Sequence, residues 1–160
     1  MTLNKAGQSA GNFATLRDLT LNSNARAVSV PAGAYGAFVA QGGSSFVLGV
    51  EDATEPSVYH LQSLTLNSGA RVQIIGPVIV RLADDVTLNG GSFGEPAHPE
   101  WSELEIANGG LTLNSGAIFH GNVTAPKGEV TVGKDATVNG RVTADGLSIN
   151  GNGAVDDPAQ

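Results

Sequence analysis

A seven-residue phrase that returns at intervals constrains this chain more than any other feature, because self-similarity at a fixed period is the signature of stacked repeat architectures. It reads Leu19-Thr-Leu-Asn-Ser-Asn-Ala25, Leu64-Thr-Leu-Asn-Ser-Gly-Ala70, Val86-Thr-Leu-Asn-Gly-Gly-Ser92, Leu111-Thr-Leu-Asn-Ser-Gly-Ala117, Val130-Thr-Val-Gly-Lys-Asp-Ala136 and Leu147-Ser-Ile-Asn-Gly-Asn-Gly153, with Met1-Thr-Leu-Asn4 as a further partial copy. Successive copies begin 18, 45, 22, 25, 19 and 17 residues apart. The interval of 45 is two periods with one copy eroded, so the period is about 21 residues.

Each position of the phrase has a physical reading. Positions 1 and 3 are aliphatic and position 2 carries a hydroxyl, the period-2 pattern of a strand with one buried face. Position 6 is only Gly, Asn or Asp, residue types that enter the left-handed region at low cost, so the strand ends at a tight corner. Position 7 is small, as a corner packed on its neighbours requires. A second strand follows in most repeats, and third segments occur at Val78–Leu82, Val123–Ala125 and Val142–Ala144.

Two or three short strands per period and no helical pattern of useful length predict an all-β, single-domain parallel β-helix, a β-solenoid of about eight rungs. The domain spans 1–155, followed by a polar C-terminal tail, 156–160. The phrase then stacks on itself, and the columns Thr20, Thr65, Thr87, Thr112, Thr131 and Asn22, Asn67, Asn89, Asn114, Asn150 become ladders in which side chains bond from rung to rung. A β-sandwich with long loops is the structural rival, because spacings of 17 to 25 residues also suit it. The irregular rungs lie between Pro31 and Trp101, where Glu51–Pro56 reads as an acidic turn and Gly90–Glu103 as a loop ejected from a corner.

Composition narrows function. The chain has no Cys, which excludes a disulfide scaffold and a Cys-ligated zinc site. Aromatic residues make up 5%, so the core is expected to be built from Val, Leu, Ile and Ala. The net charge of −7 sits in the middle third: residues 51 to 105 hold nine acids against Arg71 and Arg81. Such a chain lacks the basic footprint of a nucleic-acid or anionic-membrane binder. No stretch is apolar enough to insert in a membrane, and no hydrophobic signal peptide is present.

The most suggestive cluster is Glu95, His98, Glu100 and Trp101, joined by Glu51, Asp52 and Glu55 if the two acidic loops project from the same side. Carboxylates with a His suit Ca²⁺, yet the alternating Asp/Asn order of a calcium loop is missing. Carboxylates beside an aromatic also suit a polysaccharide, as ligand or as substrate of a cleaving enzyme, although nothing fixes two acids at a defined separation. Nucleophilic motifs are lacking: there is no G-x-S-x-G elbow, and the corner serines Ser23, Ser68 and Ser115 are explained by the turn. His60 and His120 read as structural. No cofactor and no catalytic or metal-ligating residue is assigned, so no enzyme is expected. An ice-binding face would need two Thr columns, and the phrase supplies Thr-x-Asn.

From Ala117 onward, Phe119-His-Gly-Asn-Val-Thr-Ala125, Val130-Thr-Val132, Ala136-Thr-Val-Asn-Gly-Arg-Val-Thr-Ala144 and Leu147-Ser-Ile149 resemble the bactofilins, bacterial polymer-forming β-helices. The longer rungs before them, with Glu55-Pro-Ser-Val-Tyr59 and Ala97-His-Pro-Glu-Trp101, resemble β-helical modules of secreted bacterial surface proteins. The resemblance implies a right-handed helix with a scaffolding or filament role. The terminal rungs, with unpaired strand edges, are the expected site of end-to-end self-association. An extracellular or cell-surface location is expected, with the cytoplasm as the alternative.

Overall fold

Every copy of the phrase forms the same strand on the same face of a coil. The computed structural model describes residues 1–9 and 11–156. Its first face stacks Thr2–Leu3, Leu19–Leu21, Ala37–Ala40, Ser63–Leu66, Val86–Asn89 and Leu111–Asn114 as parallel strands. The column continues through the last residues of Asn122–Val132 and Val142–Ile149. Register is continuous: Thr2, Thr20, Val39, Thr65, Thr87, Thr112, Thr131 and Ser148 lie one above another. The eroded copy is therefore Phe38-Val-Ala-Gln41, in which the alternation survives and the Thr and Asn do not.

Two more faces complete each turn. The second carries Ala27–Ser29, Ser45–Leu48, Arg71–Ile74, Ser92–Phe93, Ile118–His120, Thr137–Asn139 and Ala154–Asp156. The third carries Gly33–Ala34, Ser57–Leu61, Val78–Leu82, Ser102–Ile106 and the beginnings of Asn122–Val132 and Val142–Ile149. Every strand pairing is parallel and joins residues one turn apart, which rules out the sandwich. Eight strands of the first face bound about seven turns, one fewer than the expected eight rungs, because the first strand opens a turn. Asp156 closes the last strand, and the rest of the polar tail lies outside the described residues.

The corner after the phrase is built as its composition dictates, with one addition. Ala70 N–H bonds the Asn67 carbonyl at 3.1 Å, and Ala117 does the same to Asn114. Both residues between have positive φ, Ser68 at 54° and Gly69 at 83°, Ser115 at 56° and Gly116 at 77°. This is a type I′ turn, which needs a left-handed residue at both central positions, so in these copies position 5 is constrained as tightly as position 6; in the first copy the left-handed residue is Arg26 and not Ser23 or Asn24, and in the Val130 copy it is Asp135 alone. Position 7 then faces inward, and Ala25, Ala70, Ala117 and Ala136 are buried.

Variation in turn length is concentrated at one edge. Between the second and third faces the chain makes the excursions 49–56 and 94–101, whereas Gly121 alone spans the same corner in a later turn. The expected loop Gly90–Glu103 is thus shorter than its composition suggests: Ser92–Phe93 and Ser102–Ile106 are strands that keep the rung in register. Pairing on both sides overrides the local Gly and Pro signals there.

The interior is a single column of Leu, Val and Ile, with more rings than expected. Phe38, Phe46, Phe93, Phe119, Tyr35 and Tyr59 are all buried. Phe93 stacks on Phe119 one turn away at 4.9 Å, and Phe38 stacks on Phe46 at the same separation. Phe93 and Phe119 occupy equivalent positions in adjacent turns, one strand spacing of about 4.8 Å apart, which is also the distance at which offset rings pack; Phe38 and Phe46 meet within one turn, across the corner between the first two faces. The Tyr59 hydroxyl donates to the Val30 carbonyl at 2.6 Å and accepts from Gly49 N–H at 3.0 Å, so its polar end is satisfied inside the core.

The two ends of the coil differ. Position 3 of the phrase at the N-terminal end, Leu3, is 2% exposed, because the irregular first turn supplies Leu16 to the core and packs Phe13 against it. In the last turn the corresponding Ile149 is 47% exposed and Leu147 49%.

Candidate functional site

The two acidic excursions leave the coil at the same edge, two turns apart, and the turn between them crosses that edge with the short connector Ile75-Gly-Pro77. The result is a groove of about 410 Å³. Glu51, Asp52 and Ala53 form one wall, Ile74 to Pro77 the floor, and Glu95, His98 and Trp101 the other wall. Of the seven residues singled out from sequence, Glu51, Asp52, Glu95, His98 and Trp101 line the groove; Glu55 and Glu100 do not. Sequence reasoning missed Ile75 and Pro77. The signal was available, since the tight crossing between two long ones must form the floor.

The Trp101 wall is pre-organised by its own short loop. Glu95 Oε1 accepts from Ala97 N–H at 3.1 Å, and His98 N–H donates to the Glu95 carbonyl at 3.0 Å. Pro99–Trp101 forms a single 3₁₀ turn, in which Trp101 N–H bonds the His98 carbonyl. The His98 ring stacks on the Trp101 indole with centroids 4.0 Å apart and planes within 12°. His98 Nδ1 donates to Glu100 Oε1 at 2.9 Å, and this hydrogen bond holds the Glu100 carboxyl below its usual pKa. Glu100 therefore orients the ring that braces the tryptophan. Three carboxylates and no Lys or Arg line the groove, which makes it locally negative.

No group of three or more His, Asp or Glu converges to hold a metal among the described residues, so the groove acids are divided between its two walls and do not form a cage. Of the two other histidines, His60 is exposed on the third face in register with Arg81. His120 is buried; Asn139 Nδ2 donates to its Nδ1 at 3.1 Å, which leaves the ring proton on Nε2. Burial pushes its pKa below the ordinary histidine value.

The predicted ladders divide. Asparagines bond along the first corner: Asn89 Nδ2 to Asn67 Oδ1 at 2.9 Å, Asn114 Nδ2 to Asn89 Oδ1 at 3.0 Å, and Asn22 Nδ2 to Asn4 Oδ1. Gln41 interrupts this series between Asn22 and Asn67, and Gly133 ends it before Asn150. The threonines stack in register, half-buried, without hydrogen bonds to one another among the described residues. An Asn amide both donates and accepts along the coil axis with a fixed plane, which suits a repeat of about 4.8 Å better than a single hydroxyl does.

No family model matches the chain, and no curated protein or solved structure matches it either. No helix among the described residues is long and apolar enough to cross a membrane.

Proposed function

We propose that this protein is a non-catalytic structural module that associates with its own kind through an end of the coil. The observation that supports this reading is the exposed apolar side of the last described turn. Leu147 and Ile149 are about half exposed at positions where Leu111, Leu113, Val130 and Val132 are fully buried in the turns before. Among the described residues strand Val142–Ile149 is paired on one side only, and a long edge strand is a template for another strand. The bactofilin-like rungs from Ala117 onward, which end in this turn, fit the same role, and display on a bacterial surface suits such a module. Sedimentation and electron microscopy test it: assemblies of more than one rod are expected, and Leu147→Lys with Ile149→Lys returns the protein to single rods. A species that stays monomeric at high concentration overturns the reading.

The groove favours a second reading, a polysaccharide-binding surface. An aromatic side chain braced beside carboxylates is the equipment that holds sugar rings, by apolar contact with one face and hydrogen bonds to hydroxyls. Trp101 is the chain's one tryptophan, so its fluorescence reports the site without interference. Titration with bacterial polysaccharides is expected to shift the emission, and Glu51→Gln with Glu95→Gln to weaken the binding. An unmoved spectrum across such a panel removes this reading. The calcium alternative is checked by the melting temperature, which a cation bound only to the folded state raises.

A further inference from the structure

We infer that the corner between the first and second faces holds a binding pocket for a small oxyanion, separate from the acidic groove. Gly43, Ser44, Ser45, Gly69 and Arg71 line a recess of about 230 Å³ there, and no Asp or Glu is among them. The recess stands at one end of strand Arg71–Ile74. The other end, Ile74, belongs to the floor of the groove, three residues and so roughly 10 Å away. The inference depends on neither reading given above.

The recess gathers hydrogen-bond donors that lack an acceptor. Arg71 lies in the most acidic stretch of the chain, where the other cation, Arg81, is paired with Glu105. The Arg71 guanidinium has no ion-pair or hydrogen-bond partner among the described residues. Ser45 stands in register with it one turn earlier. By strand alternation Ser45 points outward, since the next residue, Phe46, faces the core, and the residues in register on either side of it, Ala27 and Arg71, are exposed. Ser45 is nevertheless only 6% exposed, and its hydroxyl makes no hydrogen bond among the described residues. An outward-facing hydroxyl that is covered and unbonded lies at the bottom of the recess. Gln41 to Ser44 form a turn closed by Ser44 N–H on the Gln41 carbonyl at 3.1 Å, with Gly43 at a φ of 82°; its central amide, Gly43 N–H, also lacks a partner among the described residues. The other donors at this corner are in use: Ser45 N–H on Arg26, Gly69 N–H on Asn89, Arg71 N–H on Ser44 and the Ser44 hydroxyl on Asn22, each to a carbonyl. A guanidinium fork, a hydroxyl and an amide together suit a group that only accepts, a carboxylate, sulfate or phosphate, which Arg engages through two parallel hydrogen bonds. The wall opposite leaves room for it, since a Cβ on Gly69 would meet nothing within 4 Å.

Amide NMR of the full chain tests this, with inorganic sulfate, inorganic phosphate and acetate as separate probes and ionic strength held constant with sodium chloride. Saturable shifts are expected at Gly43 N–H, Ser45 N–H and the Arg71 side-chain N–H. A preference for sulfate and phosphate assigns the pocket to a tetrahedral group and a preference for acetate to a carboxylate; either supports it. Arg71→Gln is expected to weaken the binding about tenfold or more, the loss that goes with hydrogen bonds to a charged group. Arg71→Lys keeps the charge without the fork and should weaken it as well, as should Ser45→Ala, whereas Arg81→Gln should leave it unchanged. Arg71 is exposed, so its variants should keep the circular dichroism of the parent. Shifts that are absent, that rise without saturating or that survive Arg71→Gln mean an adventitious ion only and overturn the inference, while both readings of the previous subsection stand.

Discussion

At the scale of single residues, the turn geometry and the buried histidine set the most direct expectations. Gly69 and Gly91 both have positive φ, but a Cβ on Gly69 would meet nothing within 4 Å, whereas one on Gly91 would stand 2.0 Å from the Ala70 carbonyl oxygen. Gly69→Ala is expected to cost about 1–2 kcal/mol, the ordinary left-handed penalty. Gly91→Ala must in addition push two turns apart, so its loss in chemical denaturation should be clearly larger. His120 is neutral in the folded state and its pKa is depressed, so the unfolded chain takes up its proton first as pH falls. Its contribution is complete above the unfolded value near 6.5 and declines as pH drops from there toward the folded pKa. The melting temperature should fall over that window, and the part of the fall due to this ring should vanish in His120→Gln.

At the scale of elements, the strand column and the corner that follows it behave as a unit. Asn89 bonds to Asn67 below and Asn114 above, so Asn89→Ala removes two hydrogen bonds and should cost about 1–3 kcal/mol in equilibrium unfolding. Asn150 stands opposite Gly133 with no amide to meet, and Asn150→Ala should be close to neutral. The phrase was fully legible in sequence because its period of 2, its small seventh residue and its left-handed corner are all local properties. Even the eroded copy was implied by arithmetic, although Phe38-Val-Ala-Gln41 could not be identified until pairing placed it between Leu19 and Leu64. The groove was half legible: its acids and tryptophan announce themselves by type, but their meeting depends on two excursions leaving at the same corner, which is a fact of registration between turns. Ring burial was misjudged for a related reason. Aromatic content says how many rings exist, and only stacking at one strand spacing explains why Phe93 and Phe119 fit in a narrow core.

At the scale of the whole molecule, stability is a sum over turns and their contacts with neighbours, so the ends are weaker than the middle. Amide exchange should be slowest in the inner strands, such as Ser63–Leu66, Val86–Asn89 and Leu111–Asn114, where pairing exists on both sides and the core residues are fully buried. Strand Val142–Ile149 should exchange faster in dilute protein and gain protection as concentration rises. A profile independent of concentration would mean that this strand finds no partner in solution. The few charges fit the same architecture, since like charges stacked at strand spacing repel; Arg81 and Glu105, one turn apart on the third face, form an ion pair at 2.7 Å.

The edge between the second and third faces has a practical meaning. One residue suffices to cross it at Gly121, yet the crossing from Leu48 to Ser57 takes eight, and neither choice disturbs the columns on either side. Length therefore varies most freely at this edge, while the edge between the third and first faces varies only between the single residue Gln62 and the four residues 107–110. A foreign segment spliced between Gly121 and Asn122 would emerge beside the native excursions, in a row whose pitch is set by the backbone and not by the guest. The molecule is in this sense a ruler on which chemical groups can be mounted at intervals of about 4.8 Å.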